Sequence, residues 1–173
     1  MPVRPGNGTG RLGDILVERK LVTQDNLERA LSYQKESGSR LGEALIKLGY
    51  ISDIHLAEAL AAQKKLPIIA LGEVFPNPRA ASLLTEKFIR ARRVMPVDFN
   101  QDALILAMVD PLDVVTLDDV RVITGLEVEP VVATASGFAD TLEYVFSGRG
   151  VLDASERDEP RDSRQVAEER RNA

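Results

Sequence analysis

A stretch of 24 residues occurs twice in this chain, and no other feature constrains the fold as tightly. RLGDILVERKLVTQDNLERALSYQ runs from Arg11 to Gln34 and RLGEALIKLGYISDIHLAEALAAQ from Arg40 to Gln63, offset by 29 residues and separated by KESGS. Eight positions are identical: the opening Arg-Leu-Gly, Leu16 with Leu45, Leu27 with Leu56, Ala30 with Ala59, Leu31 with Leu60, and Gln34 with Gln63. Average residue usage gives roughly one or two chance matches over that length. Each copy reads as two short helices. In the second copy Leu41, Leu45 and Leu48 recur at helical spacing, Gly49 offers a left-handed stop, and Ser52 can cap the next helix. The first copy follows with Leu12, Leu16 and Thr23, but Lys20 stands where its twin has Gly49. A side chain disfavours positive φ, so that turn is expected to differ. The second helices carry Leu27, Ala30, Leu31, Gln34 and Leu56, Ala59, Leu60, Gln63 at i, i+3, i+4, i+7, which puts each Gln on the apolar stripe. Four helices result, in two pairs that each cover the other's apolar face.

The pattern changes after the repeats. LPIIAL and FPNPR, between Lys64 and Arg79, read as a connection because their prolines break a helix. RAASLLTEKFIRARR then reads as a helix, VMPVDF and ALILAMV as strands, DVVTLDDVRVITG as a helix, EVEPVVAT as a strand and SGFADTLEYVF as a closing helix. The fold class is therefore α+β. A four-helix tandem-repeat subdomain (residues 11–65) is followed by a connection (66–79) and a small α/β layer subdomain (80–147). A Gly/Pro-rich leader (1–10) reads as loose, and residues 148–173 as a flexible charged tail or linker with a short helix in RQVAEERR.

Composition closes off most catalytic chemistry. Cysteine is absent, which removes disulfides, thiolate metal sites and cysteine nucleophiles and fits a reducing, cytoplasmic setting. His55 is the only histidine, so a His-based metal cluster cannot form, and as the third residue after the Ser52 cap it reads as a solvated helix position. The Gly-rich segments GNGTGRLG and SGRG do not match a phosphate-binding P-loop. No apolar run is long enough for a membrane span. Residues 1–66 carry 10 Lys/Arg against 8 Asp/Glu, and residues 67–147 carry 6 against 12. The small basic excess of the repeats is too weak for a nucleic-acid polymer but suits a small anion. No metal, cofactor or catalytic residue is expected.

The repeated polar residues carry the functional argument. A Gln amide on an apolar stripe must find a partner, because an unpaired one costs about 1–3 kcal/mol. The partner is either a backbone carbonyl or a bound polar ligand. Arg11 and Arg40 precede Leu-Gly at helix starts, where Gly lets backbone approach a ligand and free N–H groups face anions. Each Arg is either a solvated surface residue or a five-donor fork able to grip phosphate or the guanine O6/N7 edge. Two copies of Arg, Gly and inward Gln make two half-sites, which suits a ligand of two like halves. MVDPLD, Met108 to Asp113, reads as turn chemistry with Asp113 capping the next helix.

The doubled R-L-G-x-x-L, L-x-x-x-L-x-x-Q motif, with its five-residue spacer and the downstream DP turn, resembles the MshEN-type domain. This is the N-terminal regulatory module of type II secretion and type IV pilus assembly ATPases. The resemblance spans Arg11 to Phe146 and implies a receptor for cyclic di-GMP. By position, Arg11, Leu12 and Gly13 with Gln34 hold one GMP half, and Arg40, Leu41 and Gly42 with Gln63 hold the other. Leu16, Leu27, Leu31, Leu45, Leu56 and Leu60 form an apolar bed, and Asp110 closes over a guanine. The resemblance further implies a protein partner or an ATPase domain in cis or trans. Two readings stand beside it: a docking module that binds no nucleotide, and an ATP-binding variant.

Overall fold

A computed structural model describes residues 10–147 of the chain. The expectations for the leader before residue 10, and for the tail and its short helix after residue 147, fall outside these residues. The order of elements is helical first and mixed afterwards, as α+β patterning requires.

The first repeat forms α1 (Leu12–Glu18) and α2 (Gln24–Ser37), and the second forms α3 (Leu41–Lys47) and α4 (Asp53–Lys64). Thr23 and Ser52 cap α2 and α4 by accepting from the amides of Asn26 and His55. The turn at Lys20 does not differ from its twin, contrary to the sequence expectation. Lys20 takes φ 59° and Gly49 φ 75°. The Lys20 amide donates to the Val17 carbonyl as the Gly49 amide does to Ile46, and Leu21 donates to Leu16 as Tyr50 does to Leu45. The closing hydrogen bonds and the burial of Leu16 outweigh the local cost of a lysine in the left-handed region. Leu16, Leu45, Ala30, Ala44 and Ala59 are fully buried at the centre of the four helices.

The second half holds α5 (Pro78–Ala81), α6 (Glu86–Arg92), β1 (Val94–Asn100), β2 (Ala103–Met108), α7 (Val114–Thr124), β3 (Glu127–Val132) and α8 (Ala135–Phe146). The single helix expected over RAASLLTEKFIRARR is two. Thr85 accepts from the Phe88 amide and so starts a new helix where the first has already closed at Ser82. The sheet runs β1-β2-β3, with β1 antiparallel to β2 and β2 parallel to β3, so α7 is the crossover between parallel strands. Met95, Leu104, Leu106, Ile89, Val120 and Phe138 sit in the core between sheet and helices. Residues read as a bare connection extend this sheet. Ile68 bridges Val132 in parallel, the Ile69 amide donates to the Val132 carbonyl, and the Val132 amide donates to Pro67.

The two halves meet along α4. Ala57 and Ala61 pack with Leu66 on the fully buried Val132 of β3. At the N-terminus of α4, Asp53 accepts from the Ser136 amide in the first turn of α8 at 3.0 Å. Hydrogen bonds from the Ser136 side chain and amide outweigh burial and hold the Asp53 carboxyl below its ordinary range. Among the described residues no helix is long and apolar enough to cross a membrane, and no group of three or more acidic or histidine side chains is placed to hold a metal ion.

Candidate functional site

Docking the sheet half on α4 leaves a cavity of about 530 Å³ between the halves. Its helical wall is built by Leu12, Gln34, Arg40, Leu41, Gly42, Glu43, Leu56 and Leu60. Its opposite wall comes from the segment after β2 and the start of α7: Val109, Asp110, Leu112, Asp113, Val114 and Val115, with Arg93 beside them. The walls join directly, because the Arg40 guanidinium pairs with the Asp110 carboxylate. Asp110 is fixed for this contact by its other oxygen, which accepts the Leu112 amide at 3.0 Å across the DP turn. A second pair crosses the cavity edge, where Arg93 donates to Glu43 at 3.5 Å.

Asp113 plays a different part. Both of its oxygens are engaged by Thr116, one by the amide at 3.0 Å and one by the hydroxyl at 2.6 Å. Burial pushes its carboxyl up, but the Thr116 hydrogen bonds and the charges of Arg92 and Arg40 outweigh it, and the result lies below the ordinary range. It caps α7, as read from the sequence.

Eight of the residues named from the sequence line the cavity: Leu12, Gln34, Arg40, Leu41, Gly42, Leu56, Leu60 and Asp110. The others sit elsewhere. Arg11 is exposed outside it, Leu31 is exposed, and Leu16, Leu27 and Leu45 are buried in the helical core. Leu16 and Leu45 have no accessible surface, so they support the wall from behind and do not form its face. Gly13 and Gly42 serve close helix packing, since a Cβ at Gly13 would lie 3.0 Å from Leu27 Cδ1 and one at Gly42 2.7 Å from Leu56 Cδ1.

The two Gln residues are not equivalent, and their pairing with the arginines is crossed. Helix α2 packs on α3, and α1 on α4. Gln34 of the first repeat therefore lines the cavity with Arg40 of the second. Gln63 reaches back to the front of the first repeat, where its amide donates to the Gly10 carbonyl at 3.2 Å. Its Oε1 atom is buried without a partner among the described residues. Backbone satisfies one Gln in part, and the other faces open space.

Sequence reasoning missed Glu43, Arg93, Val109, Leu112, Asp113, Val114 and Val115 as cavity residues. Val114 and Val115 left a signal: α7 buries Thr116 and Val120, and these two valines lie off that stripe, 57% and 60% exposed. Arg93 left none, being one of several arginines around a helix end.

The MshEN domain model matches residues 65–152. The solved structure of MshE with cdg is 35% identical, covers 79% of this chain and 99% of its own, and superposes with a TM-score of 0.71. The N-terminal domain of XpsE is 29% identical, with coverage of 83% and 97% and a TM-score of 0.67. Among curated relatives, the type IV pilus assembly ATPase PilB of Myxococcus xanthus is 32% identical and that of Thermus thermophilus 35%. These alignments cover 82% and 83% of this chain but 25% and 16% of the relatives, so the chain spans a quarter or less of their length. The matched region holds the DP turn and the sheet that face the repeats across the cavity, and the chain belongs to the MshEN domain family.

Proposed function

We propose that this chain is a regulatory receptor for cyclic di-GMP, which binds in the cavity between the repeats and the sheet half. The observation that carries the reading is the Arg40–Asp110 pair spanning that cavity, on a fold shared with MshE with cdg. A guanidinium fork and a carboxylate held against each other are the two groups that a guanine nucleotide separates. The fork grips phosphate or the O6/N7 edge, and the carboxylate accepts from N1–H and the 2-amino group. Gln34, whose side chain has no hydrogen bond among the described residues, supplies an amide to the same space. Leu12, Leu41, Leu56, Leu60, Val114 and Val115 give the base its apolar bed. No chemistry follows binding: the ligand replaces one set of contacts between the halves by another, and that change is passed to a protein partner or an ATPase domain.

Charge favours this ligand over a bare polyanion. The cavity carries Arg40 and Arg93 against Glu43, Asp110 and Asp113. A ligand that offers N–H donors along with phosphate satisfies both signs. ATP brings more negative charge, and adenine lacks the N1–H that Asp110 would accept. The test is thermal shift with cyclic di-GMP, ATP and linear pGpG. Cyclic di-GMP at a hundred times its dissociation constant adds about 2.7 kcal/mol of stability. Arg40→Ala weakens its affinity about ten- to a hundred-fold. Equal shifts by ATP and cyclic di-GMP, or none by either, would refute the reading.

A further inference from the structure

Arg93 has no counterpart in the repeat motif, yet the structure puts it on the cavity wall with Arg40. We propose that Arg93 is a ligand-gripping residue that supplies a phosphate contact beside that of Arg40, from the other half of the molecule. The inference rests on the cyclic di-GMP reading and deepens it. A cyclic dinucleotide has two phosphates, and the cavity has two arginines, one carried by each half of the molecule.

Position supports the role. Arg93 ends α6 with φ 54° and leads directly into β1 at Val94, which is 1% exposed. Its Cα is thus anchored by the sheet core while its side chain is 43% exposed. The left-handed φ alone singles out nothing, since Lys20 and Lys65 share it as helix ends. Placement does: Arg93 lies between the main cavity and a smaller one of about 50 Å³ that runs toward Asp53 and Ala135. Its partner holds it loosely. Glu43 sits 3.5 Å away with a side chain 47% exposed, and such a half-solvated pair is readily exchanged for a phosphate that accepts bidentately. Arg92 next door, whose pair with Asp119 is no tighter, lies over the face of Phe88 and does not line the cavity.

The experiment is calorimetric titration of cyclic di-GMP into the full chain and into Arg93→Ala, Arg93→Gly and Glu43→Gln, each with a melting curve. Arg93→Ala should weaken affinity about ten-fold or more. Arg93→Gly removes the same side chain but relieves the left-handed backbone, so its melting temperature should hold or rise while affinity falls equally. Glu43→Gln removes the carboxylate that competes with phosphate for Arg93 and should raise affinity. If wild type binds and both Arg93 variants bind as tightly, Arg93 is no ligand residue and the receptor reading survives. If Glu43→Gln and Arg93→Ala lose affinity and stability in parallel, the pair is structural and the proposal is overturned. If wild type does not bind cyclic di-GMP, the receptor reading itself fails.

Discussion

A lysine at a left-handed helix end is a local cost that the chain tolerates. Lys20 is exposed and its side chain has no partner among the described residues, so replacing it loses no side-chain contact there. The left-handed region costs a non-glycine residue roughly 1–2 kcal/mol, and the added freedom of unfolded Gly returns about 0.5–1 kcal/mol of that. Lys20→Gly should therefore raise stability by about 0.5–1 kcal/mol in urea denaturation, and Gly49→Ala should lower it. The two motif glycines predict a second contrast. At Gly13 a Cβ meets Leu27, which is buried in the helical core, so Gly13→Ala should cost about 1–3 kcal/mol of overpacking. At Gly42 the clash is with Leu56, which stands at the cavity and can yield into it. Gly42→Ala should keep more stability than Gly13→Ala yet lose more ligand affinity, measured by melting and calorimetry on the same samples. These roles also show where sequence reading reached. The sequence reading took Gly13 and Gly42 as places where backbone approaches a ligand, whereas the group that approaches each of them in the fold is a leucine side chain.

Elements were legible where a period or a cap marks them. Thr23, Ser52 and Asp113 cap the helices expected of them, and the strand segments fall within a residue or two of their places. The break between α5 and α6 was hidden, because apolar residues continue in helical register through Leu83 and Leu84 and only the Thr85 cap interrupts them. The contact between α4 and α8 was hidden as well, since nothing local links residues 83 positions apart. That contact is testable through pH. The Asp53 carboxyl lies lower in the folded chain than its ordinary value of 3.8. Its contribution to stability is thus complete above that value and is lost as pH falls through 3.8 and below. Asp53→Asn should flatten this acid limb in pH-dependent melting and leave the slope above pH 5 unchanged. An unaltered acid limb would mean that Ser136 does not hold the ionised form.

At the scale of the whole molecule, the sheet half breaks the symmetry that the repeat implies. Leu31 and Leu60 are twins in sequence, but Leu31 is 38% exposed and Leu60 5%, because α4 is covered by the sheet half and α2 is not. The cavity consequently forms on one side only, with Arg40 inside and Arg11 outside, and duplication alone could not reveal this. Each half has its own core, and their apolar contact is the small set of Ala57, Ala61, Leu66 and Val132. Severing that contact should separate the halves without unfolding either. Ala61→Glu puts a carboxylate against Val132, which has no accessible surface, at a cost of about 3–5 kcal/mol if the charge stays unpaired. Rotating the halves apart gives it to water and avoids most of that cost. Scanning calorimetry should then resolve two transitions where wild type shows one, and cyclic di-GMP should stabilise neither, although Arg40, Gln34 and Asp110 are all still present. Ala61→Ser, which adds a hydroxyl but no charge, should keep one transition and the ligand response. A single ligand-sensitive transition in Ala61→Glu would mean that the cavity does not depend on this contact and that binding needs only one half of the chain.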